Sequence, residues 1–583
     1  MSQTNLLRRA VRRSSCDNAR SGSDALPRAG PILRTLARFF PDAQLNYAEN
    51  LLVKQGAADA LLFRGEDKVN YRWSWDKLHS TVSKLQQAFR AMGIGKGDRV
   101  SAMMPNMPET IACMLASASI GAIWSSCSPD FGEQGVLDRF GQIEPKLFIT
   151  CDAYWYNGKL QDVGDKVRAV APKLGCPVVV VKYAGDTEAL AASLPNAQTF
   201  DAVTIPFTAR PVEYEPLPFS HPLYILVSSG TTGVPKCIVH SAGGTLLQHL
   251  KEHRFHSGVG EGDKLFYFTT CGWMMWNWLA SGLASGATLC LFDGSPFAPS
   301  GNVLWDYAAQ QRFAIFGTSA KYIDAVRKGG IEPLKTHDLS ELRLITSTGS
   351  PLSPEGFSFV YEGIKPDVQL ASISGGTDIV SCFVLGNPVK PVWRGEIQGP
   401  GLGLAVDVWD DEGKPVRGEK GELVCTKASP PCRWASGTTR TARNIAQPIS
   451  SASTMSGATA ISPNGQNMAA SSSMAARMRR SIPAACGSVR PRSTTRSNSS
   501  RKWPRRSASA KIGMTTCESS SSSASRLACS WTRNSTRSSP PKSVWVRRRV
   551  TCRPKSFRSP TFRAPGRERS SNSPSARSST ADR

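Results

Sequence analysis

Between about residues 37 and 427 the chain alternates short apolar runs with stretches of helical periodicity. Val100–Met104 is followed by a helical pattern over Pro108–Ile120, and Phe313–Phe316 by one over Lys321–Val326. Further strand-length apolar runs stand at Lys146–Thr150, Pro177–Lys182, Ala287–Phe292, Leu342–Ser347 and Val368–Ile373. Strands spaced by helices predict an α/β architecture, with parallel sheets flanked by helices. Near Gly403 the pattern changes. Leu404–Trp409, a turn at Asp410-Asp411-Glu412-Gly413, and Gly421–Cys425 predict short antiparallel strands in a small β-barrel-like part. The run Ile111–Trp124 is interrupted by Ser and Gly, which predicts a core helix and not a membrane span of roughly 18 apolar residues.

After Lys427 the periodicity stops, and charge explains part of the change. The 583 residues carry a formal net charge of +26, but residues 428–583 hold 29 of the 71 basic and only 3 of the 45 acidic residues. The part before them is balanced, with 42 of each. A Ser- and Arg-rich, acid-poor composition predicts disorder after about residue 428. Such a tail meets nucleic acid non-specifically at most, because few aromatic residues interleave with the charges to stack on bases. Residues 1–36, also Arg- and Ser-rich, are unassigned and read as disordered. Fifteen cysteines are scattered without a CxxC pair, which predicts a reducing, cytoplasmic setting and no disulfide frame.

The chemistry concentrates in loops at predicted strand ends. After the apolar strand Leu223–Val227 comes Ser228-Ser229-Gly230-Thr231-Thr232-Gly233-Val234-Pro235-Lys236, then an amphipathic segment over Gly244–His256. Glycines let backbone N–H groups converge, hydroxyls add donors, and Lys236 adds a point charge. That combination suits the phosphates of ATP, although it is not the GxxxxGK[ST] loop. Thr348-Gly349-Ser350-Pro351-Leu352, Ser374-Gly375-Gly376-Thr377-Asp378 and Thr269–Trp278 occupy other strand ends, where α/β sheets gather ligands. His249, His253 and His256 recur at i, i+4, i+7. With no Cys or carboxylate completing a metal set, they predict a solvated helix face.

In order and spacing these loops resemble those of the acyl-adenylate-forming enzymes, the family of acyl-CoA synthetases, luciferases and peptide-synthetase adenylation domains. The resemblance implies that Ser228 through Gly233 and Lys236 hold the β- and γ-phosphates, with Thr231 and Lys236 catalytic. It implies that Gly349, Ser350 and Pro351 pack on adenine. Ser374, Gly375, Gly376 and Thr377 would face the α-phosphate, and Asp378 would hold Mg²⁺, with Thr377 and Asp378 catalytic. Ser374 stands where the family has an aromatic residue, and Asp378 where it has Glu; Asp keeps the hard oxygen donors on a shorter arm. Trp273 and Met274 would line the acyl pocket. FTTCGWMMWNWL, GTSAKYI, SISGGTDIVSCFVLGNP and VWRGEIQGPGLGLAVDVWDDEGKPV are similar to the acetoacetate-activating branch. That likeness implies ATP, Mg²⁺, coenzyme A and acetoacetate as the small molecules bound, and a ligase passing through acetoacetyl-AMP. Residues 37–60 resemble the end of the N-terminal segment of such enzymes, and residues 61–427 their AMP-binding domain.

The tail carries a second signal. Codons compatible with Thr454–Ala470, Met474–Thr494 and Arg548–Arg583, shifted by one base, can spell the C-terminal motifs of the same branch in order. The HGD aspartate codon would straddle Ala460 and Ile461. The GRSD hinge would lie across Met474 to Met478, and the SGK lysine codon would straddle Glu568 and Arg569. On this reading residues 428–583 are an out-of-frame C-terminal domain, none of its functional residues exists here, and turnover is impaired. The alternative is an inactive nucleotide-binding or nucleic-acid-binding protein using its basic tail.

Overall fold

The structure, a computed structural model, describes residues 39–228, 235–410, 412–427, 429 and 435–437. Internal packing divides the chain into Met1–Arg490 and Pro491–Arg583, and every described residue belongs to the first unit. The expectations for residues 1–36 and for nearly all of the basic tail lie outside the described residues.

Two large sheets carry the fold. The first has eight strands in the order Ala197–Thr199, Val178–Val181, Leu147–Cys151, Arg99–Met103, Ile123–Cys127, Pro222–Ser228, Lys236–Ser241 and Ala435–Gly437. Its pairs are parallel up to Pro222–Ser228 and antiparallel beyond it. The last pair sets Cys237 opposite Gly437, Ile238 opposite Ser436 and Val239 opposite Ala435. The second sheet has seven strands in the order Gln369–Ser372, Leu344–Thr348, Ile315–Ser319, Lys264–Tyr267, Thr288–Asp293, Asp59–Gly65 and Val69–Ser74, parallel except at the final pair. Parallel neighbours require crossovers, and helices supply them.

Helix Trp75–Ala91 illustrates why these segments fold as they do. The Ser74 hydroxyl caps it by accepting from Lys77 N at 3.1 Å. Leu78, Val82, Leu85 and Phe89 then fall on one face and are fully buried, each stabilising by about 1.5–3 kcal/mol. Helix Pro108–Ser119 begins at a proline, whose missing N–H costs nothing in a first turn. It is buried along nearly its whole length, as the interrupted apolar run predicted. It stops at Ser119, however, and Trp124 lies in the next strand. Among the described residues no helix is long and apolar enough to cross a membrane.

Beyond the second sheet the strands become short and antiparallel. Ser374–Gly376 pairs with Ser381–Leu385, which pairs with Gly399–Pro400, and Val406–Trp409 pairs with Glu422–Cys425. What matters for the site is the register of the second sheet. Ser319 stands opposite Thr348, and Ser347 opposite Ser372, so the loops leaving those strands emerge side by side.

Candidate functional site

The hydroxyl-rich loop closes a β-hairpin. Val227 pairs with Cys237 and Ser228 with Lys236, so these last two face each other at the base of the loop. Lys236 is exposed and Ser228 half-buried. Ser229, Gly230, Thr231, Thr232 and Gly233 lie outside the described residues. The loop's far end is anchored where Gln142 Nε2 donates to the Pro235 carbonyl at 2.9 Å. The sequence pointed from loop to amphipathic segment. The structure inserts the strand Lys236–Ser241 between them and starts the helix at Ala242, with the Ser241 hydroxyl accepting from Gly244 N at 3.3 Å.

Two of the other predicted loops sit together at the C-terminal ends of neighbouring strands. Gly349, Ser350 and Pro351 follow Leu344–Thr348, and the Thr348 hydroxyl donates to the Ile373 carbonyl at 3.1 Å. Ser374, Gly375 and Gly376 form a short strand, and Thr377, Asp378 and Ile379 a single 3₁₀ turn. Ser374, Thr377 and Asp378 are half-buried. The turn packs against both strands of the hairpin. His240, on the second hairpin strand, donates from Nε2 to the Thr377 carbonyl at 2.6 Å. The hairpin, the Gly349–Pro351 loop and the Thr377–Asp378 turn therefore converge.

In the aromatic segment the residues divide. Trp276 and Trp278 are core: Trp276 stacks on Trp124 at 6.4 Å and donates to Asn106 Oδ1 at 3.0 Å. Trp273, just before helix Met274–Ala280, is 47% exposed, and Met274 is half-buried. These two remain available to a ligand.

The three histidines correct the expectation of a solvated face. His249, His253 and His256 are buried. His249 Nε2 donates to the Val380 carbonyl at 2.7 Å, His253 Nε2 to the Trp278 carbonyl at 2.9 Å, and His256 Nδ1 to the Gly386 carbonyl at 2.8 Å. Burial pushes all three rings toward the neutral form, His253 down to about 3 with the neighbouring His249 adding to the effect. They are packing and hydrogen-bonding groups. Neither they nor any other three His, Cys, Asp or Glu among the described residues form a metal cluster.

A cation that takes most of its ligands from phosphates and water needs only one or two protein carboxylates, as Mg²⁺ commonly does. The half-buried Asp378, next in the chain to Thr377, carries a carboxylate of the kind such a cation takes. Sequence reasoning missed His240, and it missed the buried Glu252, Val380 and Ser381 behind the turn. The bonds that tie them together across the turn span more than a hundred residues of chain, and no local pattern announces them.

The profile of the AMP-binding enzyme family matches residues 51–429. Over 394 residues the chain is 79% identical to the acetoacetyl-coenzyme A synthetase of Rhizobium meliloti (strain 1021), covering 68% of this chain and 61% of the relative. Over 403 residues it is 48% identical to the acetoacetyl-CoA synthetase of Gallus gallus, covering 67% and 60%. The solved acetoacetyl-CoA synthetase from Streptomyces lividans superposes with a TM-score of 0.65 at 41% identity, covering 69% of this chain and 63% of that one. The matched part thus spans about three fifths of the length of these relatives.

Proposed function

This chain belongs to the AMP-binding enzyme family, and from that premise we propose that it is built as an acetoacetate–CoA ligase. A carboxylate oxygen of acetoacetate attacks the α-phosphorus of ATP, forming acetoacetyl-AMP and releasing pyrophosphate. The thiol of coenzyme A then attacks the acyl carbon and releases AMP. The hairpin loop, Ser228 to Gly233 with Lys236, holds the β- and γ-phosphates. Gly349, Ser350 and Pro351 pack on adenine. The strand Ser374–Gly376 brings the Thr377 hydroxyl to the α-phosphate, where donors fixed in advance offset charge developing in the transition state. Asp378 offers a carboxylate oxygen to Mg²⁺, which when bound offsets phosphate charge. Trp273 and Met274 wall the acyl group.

The observation that carries this proposal is the convergence of the three loops through the bond from His240 to Thr377, in a chain whose relatives are named for acetoacetyl-CoA synthesis. Turnover is impaired, because the motifs that would supply the adenylating lysine and the domain hinge are spelled only out of frame in residues 428–583. Losing a contact made mainly in the transition state lowers kcat more than nucleotide binding.

The test measures acetoacetate-dependent pyrophosphate exchange and Mg-ATP binding on the 583-residue chain, then on a version re-framed after codon 427. Saturable ATP binding with feeble exchange, rising on re-framing, is expected. Near-normal exchange in the unaltered chain would defeat the impairment, and absence of ATP binding would defeat the nucleotide site. The one-signed charge of residues 428–583 supports a second reading, nucleic-acid retention, which predicts salt-sensitive RNA binding lost on removing them.

A further inference from the structure

Glu252 opens the π-helical turn Glu252–His256 that ends the helix after the hairpin, and it has no exposed surface. Its carboxylate nevertheless collects four donors. Oε1 accepts from Ser381 Oγ at 2.6 Å, from Cys382 N at 3.1 Å and from Gln248 Nε2 at 3.1 Å. Oε2 accepts from Trp278 Nε1 at 2.9 Å, and Lys251 Nζ stands 3.7 Å from Oε1. An ionised carboxylate accepts on both oxygens. An amide in its place would turn N–H groups toward donors on one side or the other.

What Glu252 holds adjoins the candidate nucleotide turn. Ser381 and Cys382 follow Val380, a buried residue at φ 49°, ψ 38°. That is the left-handed region, which a β-branched side chain rarely enters. Val380 ends the turn Thr377–Ile379. One continuous stretch of chain, from His240 to Glu252, grips this segment at four points. His240 takes the Thr377 carbonyl, His249 the Val380 carbonyl, and Glu252 the Ser381 hydroxyl and the Cys382 amide. A strained backbone persists only where its surroundings over-determine it.

We propose that Glu252 is a positioning residue. Through Ser381 and Cys382 its buried carboxylate keeps Val380 left-handed, and so fixes where Thr377 and Asp378 present their oxygens to the α-phosphate and its cation. This rests on the assignment of Thr377 and Asp378 made under the proposed function. Without the acceptor, Val380 relaxes toward an ordinary φ and Asp378 moves with it. The loss then falls on the Mg²⁺-dependent part of ATP binding and spares the rest.

The experiment titrates ATP into the full 583-residue chain with excess Mg²⁺ and again with EDTA, and compares the ratio of the two affinities. Mg²⁺ is expected to tighten binding to the unsubstituted chain by about tenfold, the worth of roughly one charge-assisted contact, and Glu252→Gln to bring the ratio near one while the EDTA affinity stays within about twofold. Adding Val380→Gly, which removes the steric objection to a left-handed backbone, should restore part of the ratio. A Glu252 that merely packs the core would instead lower both affinities together with the melting temperature. An unchanged ratio in a folded Glu252→Gln chain overturns the proposal. Should that variant not fold, Ser381→Ala removes one donor and carries the same expectation, and an unchanged ratio there is equally fatal. An unsubstituted chain whose ATP binding ignores Mg²⁺ also overturns the proposal, leaving the nucleotide site standing. One that binds no ATP in either buffer overturns both.

Discussion

His240 Nε2 and the carbonyl oxygen of Thr377 are 2.6 Å apart, bonded across 137 residues of sequence. His240 sits on the strand Lys236–Ser241, at the edge of the hairpin whose tip carries the Ser/Gly/Thr motif, and Thr377 opens the turn that carries Asp378. One buried ring therefore ties together the hairpin and the turn, the two loops proposed to meet the same nucleotide from different sheets. Being 1% exposed, the residue cannot readily exchange this bond for water.

Replacing His240 with Ala removes the donor and leaves the half-buried Thr377 carbonyl with only the longer bond from Val380 N, at 3.3 Å, a loss of about 0.5–1.5 kcal/mol. If most of that falls on the spacing of the loops, ATP affinity drops by up to roughly tenfold. Calorimetric titration of ATP into the His240→Ala chain checks this, and an affinity equal to that of the unsubstituted chain would remove the ring from the site.

Lys236 lies exposed at the foot of the hairpin, opposite Ser228. In the proposed site its charge serves the outer phosphates, so Lys236→Ala should weaken ATP by about tenfold and AMP hardly at all. Folding should not suffer, since nothing packs on an exposed ammonium. Competition between ATP and AMP for one fluorescent nucleotide, beside a thermal melt, separates these outcomes.

Gly375 is a backbone contact point. A Cβ there would stand 2.0 Å from the Ser381 carbonyl oxygen and 2.5 Å from Cys382 Cα, so the strand pair that leads into Thr377 would have to open. Gly375→Ala should cost about 1–3 kcal/mol of stability and displace the turn, lowering ATP affinity as well. Gly349 offers a contrast. At φ +82° it meets only Ser319 Cβ, at 4.0 Å. Gly349→Ala should therefore cost only the conformational penalty, about 1 kcal/mol, and no clash. Urea melts of the two variants provide the comparison.

Asp293 ends the strand Thr288–Asp293, and burial, the largest influence, pushes its carboxyl up to about 7 from an ordinary 3.8. In the folded chain it thus keeps its proton over a range where the unfolded chain has lost it. Its contribution to stability is whole below about pH 4 and is lost as the pH rises through about 7, at no more than roughly 1.4 kcal/mol per pH unit. Asp293→Asn carries no such dependence. Its melting temperature relative to the unsubstituted chain should climb as the pH is raised from about 4 to about 7, and parallel curves would mean the carboxyl is already ionised in the fold.

Much of the architecture was legible because strands and helices are written locally. Leu342–Ser347 was expected and Leu344–Thr348 is found; Pro177–Lys182 was expected and Val178–Val181 is found. The predicted loops lie at strand ends for the same reason. The strand Lys236–Ser241 escaped notice because six residues between a proline and a helix give too little period to be told apart from that helix. The histidine spacing reported a shared helix face but not its environment. That depends on carbonyls at Val380, Gly386 and Trp278, which only the folded chain supplies. Glu252 looks, in sequence, like one more charge on an amphipathic helix. Its four donors become visible only when residues 381 and 382 arrive from 129 and 130 positions away.

The edge strand Ala435–Gly437 begins six positions past residue 429, where the likeness to the family ends, yet it lies against Cys237, Ile238 and Val239 in regular antiparallel pairing. Such a ladder is made of amide and carbonyl groups, and it asks little of the letters that hang from them beyond the absence of proline. The hairpin bearing Lys236 is therefore covered along its outer margin by three residues that lie beyond the family match. The match to the family stops at residue 429, and the sheet goes on past it.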